Sequence, residues 1–255
     1  GEPYDSIMPA KPLQVQVGVS SQLDPDKNVR FTFPTPLAKA DTAGIHLYAK
    51  HDTLWYRAPF EFRPIPNKSR EYELMGEWRP DIEYSLEVDS AAFQDIYGLV
   101  SNPIKQGFKV SSLDEYGTLL VNITSLNDQP LLVQLLNGQD QVIKEVKAVN
   151  GVAEFYYLKP EKYYMRLIVD SNGNGKWDTG DYDKDQQAEE VYYYPTFIEC
   201  KAKWDITESW NPTEKPLSQQ KPGAITKQKP DKEKKVKNQN AERAKKLGIQ
   251  YIPKI

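Results

Sequence analysis

Residues Leu13, Val15, Val17 and Val19 alternate one for one with polar or small partners, and Val29, Phe31 and Phe33 repeat the pattern. Successive side chains of an extended chain point to opposite faces, so apolar residues on one parity describe a strand with one face buried. A helix would need apolar residues three and four apart, and long Ala/Leu-rich stretches with that spacing are almost absent. The segment SQLDPDKN between the two runs supplies the Pro, Asp and Asn that turn a chain back on itself. The chain is therefore constrained to sheets from its start.

The same pattern predicts short strands around Ile45–Tyr48, Leu54–Tyr56, Tyr72–Leu74, Tyr84–Val88 and Phe108–Val110, with one helical turn in DSAAFQDIYG (residues 89–98). Short strands parted by Pro, Asn, Asp and Gly clusters imply a sandwich or barrel. The phrase SSLDEYG at residues 111–117 reads as a seam, after which the alternation restarts with Leu119, Val121 and Ile123. Asn137-Gly138 and Asn150-Gly151 are hairpin signals, because both residue types tolerate the positive φ of tight turns. A strand ending at Val169 runs into DSNGNGKWDTGD, and a final aromatic stretch covers Val191–Trp204. The expectation is an all-β chain of two tandem sandwiches, residues 10–111 and 116–210, followed by a flexible tail over 211–255.

That tail is rich in Pro, Lys and Gln and nearly devoid of large apolar residues, so burial cannot offset its ordering entropy. Within it, AERAKKLGI could form two helical turns, and YIPKI carries three apolar residues suited to docking. Lys221 to Lys246 holds ten Lys/Arg against three Asp/Glu, a local +7, which leaves −10 on the rest of a chain whose net charge is −3. An acidic body with a basic tail excludes a nucleic-acid-binding domain, which needs its positive charge on the folded face. No apolar run is long enough to span a bilayer. The opening GEPYDSIMP reads as a remnant and linker, so a larger protein is expected ahead of Gly1.

One motif carries chemistry. Counting Asp170 as position one of a twelve-residue loop, oxygen-bearing side chains fall at positions one, three, five, nine and twelve: Asp170, Asn172, Asn174, Asp178 and Asp181. Gly175 stands at six, where such a loop turns sharply, and Lys176 at seven offers a backbone carbonyl. Ca²⁺ takes six to eight oxygens, and this spacing brings alternate side chains around one centre. Asp at position twelve and neutral Asn at two positions point to weak affinity, suited to an extracellular module. The competing reading of the same residues is a hairpin loop held by Asx turns with no metal.

Other chemistry finds less support. Asp181, Asp183, Asp185, Glu189 and Glu190 could mimic a glycosidase pair, but clustering in one loop cannot place two carboxyls across a cleft, so a solvated face is expected. The lone cysteine, Cys200, reads as a small buried apolar residue on a strand. His46 and His51 lie far from it, and no G-x-S-x-G occurs. Trp55, Tyr56, Tyr192, Tyr193 and Tyr194 could stack on sugars, although sandwich cores and cross-strand pairs also use such residues.

Three stretches resemble two known families. PDIEYSLEVDSAAFQDIYG (80–98) and RFTFPTPLAKAD (30–41) resemble the bacterial Ig-like domains of S-layer and other envelope proteins, a likeness covering residues 10–111. Pro80 and Tyr84 also resemble the tyrosine corner of Ig-like folds, a structural tie between a Tyr hydroxyl and backbone. FYYLKPEKYYMRLIVD (155–170) resembles the "L-x-P-G-x-Y" strand entry of prealbumin-like domains in carboxypeptidase regulatory regions and surface-protein B repeats, with Glu161 in place of Gly. No lysine occurs in GTLLVNI, so the Lys–Asn crosslink of some relatives is not expected. These resemblances imply a non-catalytic structural or interaction protein of a Gram-negative surface, in the periplasm, on the outer membrane or outside the cell. They further imply a lipid anchor ahead of Gly1 and an envelope protein or glycan as partner. The alternative is a calcium-stabilised carbohydrate-binding module attached to an envelope enzyme, and the least supported is a hydrolase. An Ig-like fold by itself names no ligand.

Overall fold

The computed structural model describes residues 10–126, 128–181 and 187–226. Among them the chain is nearly all β, with helix confined to short 3-10 turns and the four-residue α1 (Gly223–Thr226). No described helix is long and apolar enough to cross a membrane.

The alternating residues of the first half close on one core. One sheet runs β1 (Gln16–Val17), β3 (Val29–Thr32), β8 (Glu71–Gly76), β7 (Phe60–Pro64). The facing sheet runs β2 (Gln22–Leu23), β11 (Ile104–Val110), β9 (Glu83–Val88), β5 (Ile45–His51), β6 (Leu54–Arg57). Val29 and Phe31 pair with Leu74 and Tyr72, while Ile45 and Leu47 pair with Val88 and Leu86, so every apolar parity turns inward. Phe31, Phe33, Phe62 and Phe93 interlock at edge-to-face and tilted angles, an arrangement the ring quadrupoles favour.

Two local features refine the sequence reading. The Tyr84 hydroxyl donates to the Glu77 carbonyl at 3.2 Å and accepts from the Arg79 N–H at 3.0 Å, which is the expected corner. Residues 89–98 hold a strand, β10 (Phe93–Asp95), paired with β4 (Leu37–Ala40), where a helical turn was expected. The reason is Asp95. Its buried carboxylate accepts from the Thr35 hydroxyl and the N–H groups of Tyr97 and Leu99, which folds Ile96–Gly98 into a turn instead.

In the second half, β12 (Gly117–Ile123) lies between β15 (Val152–Leu158), antiparallel, and β19 (Asp205–Trp210), parallel. The opposing sheet runs β14 (Val142–Lys147), β13 (Leu131–Leu136), β16 (Glu161–Val169), β17 (Val191–Tyr193), and β18 (Ile198–Cys200) pairs with the first turn of β16. Leu119, Val121 and Ile123 meet Val133, Leu135, Met165 and Leu167 in a core separate from the first. Asn150 and Gly151, at φ 50° and 75°, form the tight β14–β15 hairpin. At the β13–β14 hairpin the positive φ falls instead on Asp140, because the Asn137 side chain caps the N–H groups of Gln139 and Gln141. The final aromatic stretch is broken at Tyr194–Phe197 into β17 and β18, next to Pro195.

The expected tail opens with a docked segment. Gln220 is 4% exposed; it accepts from the Tyr193 N–H and donates to the carbonyls of Pro212 and Lys215. Lys221 pairs with Asp140 at 2.9 Å, and Ile225 is buried. AERAKKLGI and YIPKI lie outside the described residues.

Candidate metal loop

The Asp170 loop connects β16 to β17, strands paired with each other through Ile168 and Val191. Asp170, one residue past the end of β16, is 2% exposed. Its two carboxylate oxygens accept the N–H groups of Asn174 and Gly175 at 3.1 and 2.8 Å. Gly173, Gly175 and Gly180 all take positive φ (68°, 74° and 82°), conformations that glycine adopts at no steric cost. Those three glycines let the chain coil tightly enough for its side chains to converge.

Side-chain convergence covers positions three, five and nine, with the Asp170 carboxylate holding the backbone at five and six. The amide nitrogens of Asn172 and Asn174 both donate to Asp178 Oδ2, at 2.5 and 2.9 Å. Their amide oxygens accept the backbone N–H groups of Asn174 and Lys176. Turning either amide oxygen toward the same centre would give up the backbone N–H bond that it accepts. The donor set of two carboxylates and two amides is hard and oxygen-rich, as Ca²⁺ requires. Among the described residues no three His, Cys, Asp or Glu side chains form a metal-holding group. Asp181, at position twelve, borders residues 182–186, which lie outside the described residues together with Asp183 and Asp185. Lys176 contributes its N–H to the Asn174 amide, and its neighbour Trp177 stacks over the guanidinium of Arg166 at 5.2 Å.

Sequence reading missed Glu189. Expected on a solvated face, it instead accepts the N–H of Ser171 through one carboxylate oxygen and that of Asp178 through the other, while its own N–H donates to the Asp178 carbonyl. It clamps the loop's second and ninth positions from outside. The residues between Asp181 and Glu189 hide this partnership from any fixed-spacing motif.

The remaining candidates take structural places. Cys200 is buried in the second core and burial pushes its thiol pKa up. His46 pairs with Asp89 and His51 lies near Asp52, both in the first sandwich. Of the five aromatics, Tyr192 is buried, Tyr194 packs edge-to-face on Trp210, and Tyr193 lies under Lys221. Trp55 and Tyr56 are exposed on β6 but adjacent in one strand, so they point to opposite faces and form no continuous platform.

No known protein family matches the sequence, and no curated protein matches it. Among solved structures the chain is similar to the N-terminal part of the bacterial S-layer protein SbsC, at 12% identity and a TM-score of 0.34 over 64% of this chain and 42% of that one. It is similar to native alpha-2-macroglobulin from Escherichia coli spanning domains MG0-NIE-MG1, at 10% identity and a TM-score of 0.32 over 72% and 78%. It is also similar to the Bacillus anthracis TIE protein, at 15% identity and a TM-score of 0.26 over 79% and 34%. The chain thus spans less than half the length of the S-layer fragment and about a third of the TIE protein. At these scores the likeness identifies no family and carries no activity, ligand or partner over to this chain.

Proposed function

We propose that this chain is a non-catalytic structural or interaction protein of the bacterial cell envelope, with a second sandwich stabilised by calcium in the Asp170–Asp181 loop. The observation that carries the calcium reading is the convergence of Asn172 and Asn174 on Asp178 Oδ2, with the buried Asp170 carboxylate gathering the N–H groups of Asn174 and Gly175. The envelope assignment is supported by the resemblance of residues 80–98 and 155–170 to envelope and surface-protein modules. An envelope protein or a glycan is the corresponding partner.

A metal here would act on the fold. The loop joins the inner strand β16 to its neighbour β17, so a cation shared by Asp170 and Asp178 ties the end of one strand to the approach of the next. A ligand that binds only the folded state stabilises it by mass action. Calorimetric titration of the protein with Ca²⁺ tests the proposal. A saturable one-site heat that disappears in Asp170→Ala supports it; no heat from micromolar to millimolar Ca²⁺ refutes it.

A further inference from the structure

We infer that the β2–β3 loop of the first sandwich is a plug that locks both sandwiches into one rigid body, so that the chain acts as a stiff spacer. A covalent linker alone would leave the two cores free to bend and twist. The cores change over between Val110 and Leu119, and only Ser111–Tyr116 joins them. The β2–β3 loop adds two anchors beyond that linker, on separate elements of the second sandwich.

The first anchor is Asp24. Its Oδ1 accepts the Tyr116 hydroxyl at 2.6 Å, and its Oδ2 meets Lys159 Nζ, from the β15–β16 turn, at 3.1 Å. The second is Asp26, which meets Lys144 Nζ on β14 at 3.0 Å. Lys144 stands in a built socket. Its ammonium also donates to the carbonyls of Tyr156 and Tyr157, and its side chain is 19% exposed. The socket exists because β15 bulges: pairing with β12 slips between Gly117 and Leu119, and Tyr157 takes φ 54°. A bulge re-aims the groups it carries. Here the bulged Tyr157 packs edge-to-face on Tyr116 and under Lys144, so one irregularity serves both anchors.

Exposed ion pairs are worth little. The Asp26–Lys144 pair is mostly shielded, both side chains being under a quarter exposed, whereas Lys159 is 65% exposed, so Asp24 is held chiefly by the Tyr116 hydroxyl. Screening by salt acts less on such pairs, and the hydroxyl and carbonyl bonds add direction. A linker plus two separate anchors leaves neither bending nor twisting free. The lock involves no atom of the Asp170 loop, so it is independent of calcium.

Residual dipolar couplings from the whole chain in a weakly aligned medium test this. The wild type should fit a single alignment tensor across both sandwiches. Asp24→Ala/Asp26→Ala, with both cores still folded, should need two tensors, with the order of one sandwich reduced at least about twofold. Lys144→Ala, on the opposite side of the contact, gives the same readout if the double variant fails to fold. Two tensors in the wild type would overturn the inference, and so would a single shared tensor in the folded variants.

Discussion

The carboxylate of Glu189 accepts the backbone N–H of Asp178 at 3.0 Å while the Glu189 N–H returns a bond to the Asp178 carbonyl at 3.1 Å. This two-way pairing, with the further bond to Ser171, fixes where Asp178 sits before any metal arrives. Outer groups that orient metal ligands typically change affinity by about 10–100-fold when removed. Glu189→Ala should therefore weaken calcium binding by that factor and cost about 0.5–1.5 kcal/mol of stability without metal, as two N–H groups exchange the carboxylate for water. Calorimetry on wild type and variant measures both. An unchanged affinity in the variant would show that the clamp does not organise the loop.

Gly117 opens β12 where the chain passes the second core. A β-carbon there would stand 2.5 Å from Cys200 Sγ and 2.7 Å from the Lys201 carbonyl. Neither neighbour is a flexible tip, so Gly117→Ala should destabilise the second sandwich by about 1–3 kcal/mol. Urea denaturation measures this; a variant as stable as wild type would contradict the packing described at Cys200.

Much of the fold was legible because burial follows parity. Leu119, Val121 and Ile123 needed only an alternating pattern to be placed inward, and Tyr84 needed only its distance from Pro80. β13 (Leu131–Leu136) was harder, since all six of its residues are buried and no alternation marks it. The strand at Phe93–Asp95 escaped notice because a single side chain, Asp95, caps the turn that replaces a helix. At the loop, the motif located Asp170, Asn172, Asn174 and Asp178 through local spacing. Glu189 was invisible for the opposite reason, since its role comes from the pairing of β16 with β17, a long-range contact.

The docked start of the tail changes what protease should do. With Gln220 buried and Ile225 packed, a broad-specificity protease at low dose should remove chain beyond Thr226 and leave Asn211–Ile225 attached to the body. Gln220→Ala, which loses three hydrogen bonds, should move cleavage upstream to the region of Lys215. Mass spectrometry of the trimmed product distinguishes the two; early cleavage near Lys215 in the wild type would contradict the docking.

The junction should respond to pH at both ends. Burial pushes the Asp24 carboxyl up, but the hydrogen bonds from Tyr116 and Lys159 and the charges of Lys159 and Lys27 outweigh it, leaving the pKa below the ordinary 3.8. A lowered folded pKa contributes stability above the ordinary value that is lost as pH falls through the folded one. Burial and the bond to Asp24 raise Tyr116 to about 12, so its contribution is present below the ordinary phenol value and lost as pH rises through about 12. The stability difference between wild type and Asp24→Ala should accordingly be greatest between these limits and shrink beyond either. A difference that grew on acidification would contradict the pairing.

Whether calcium stabilises the second sandwich through the Asp170 loop is read from melting by calorimetry in EDTA, in millimolar Mg²⁺ and in millimolar Ca²⁺. A ligand at about a hundred times its dissociation constant adds roughly 2.7 kcal/mol, which moves the melting temperature of a domain this size by about ten degrees or more. A calcium-holding loop gives that rise in Ca²⁺, a smaller one in Mg²⁺, which sheds water reluctantly and prefers rigid octahedral sites, and none in Asp170→Ala. Equal melting temperatures of the wild type in all three buffers would contradict it and leave the loop as a hairpin held by its own Asx turns.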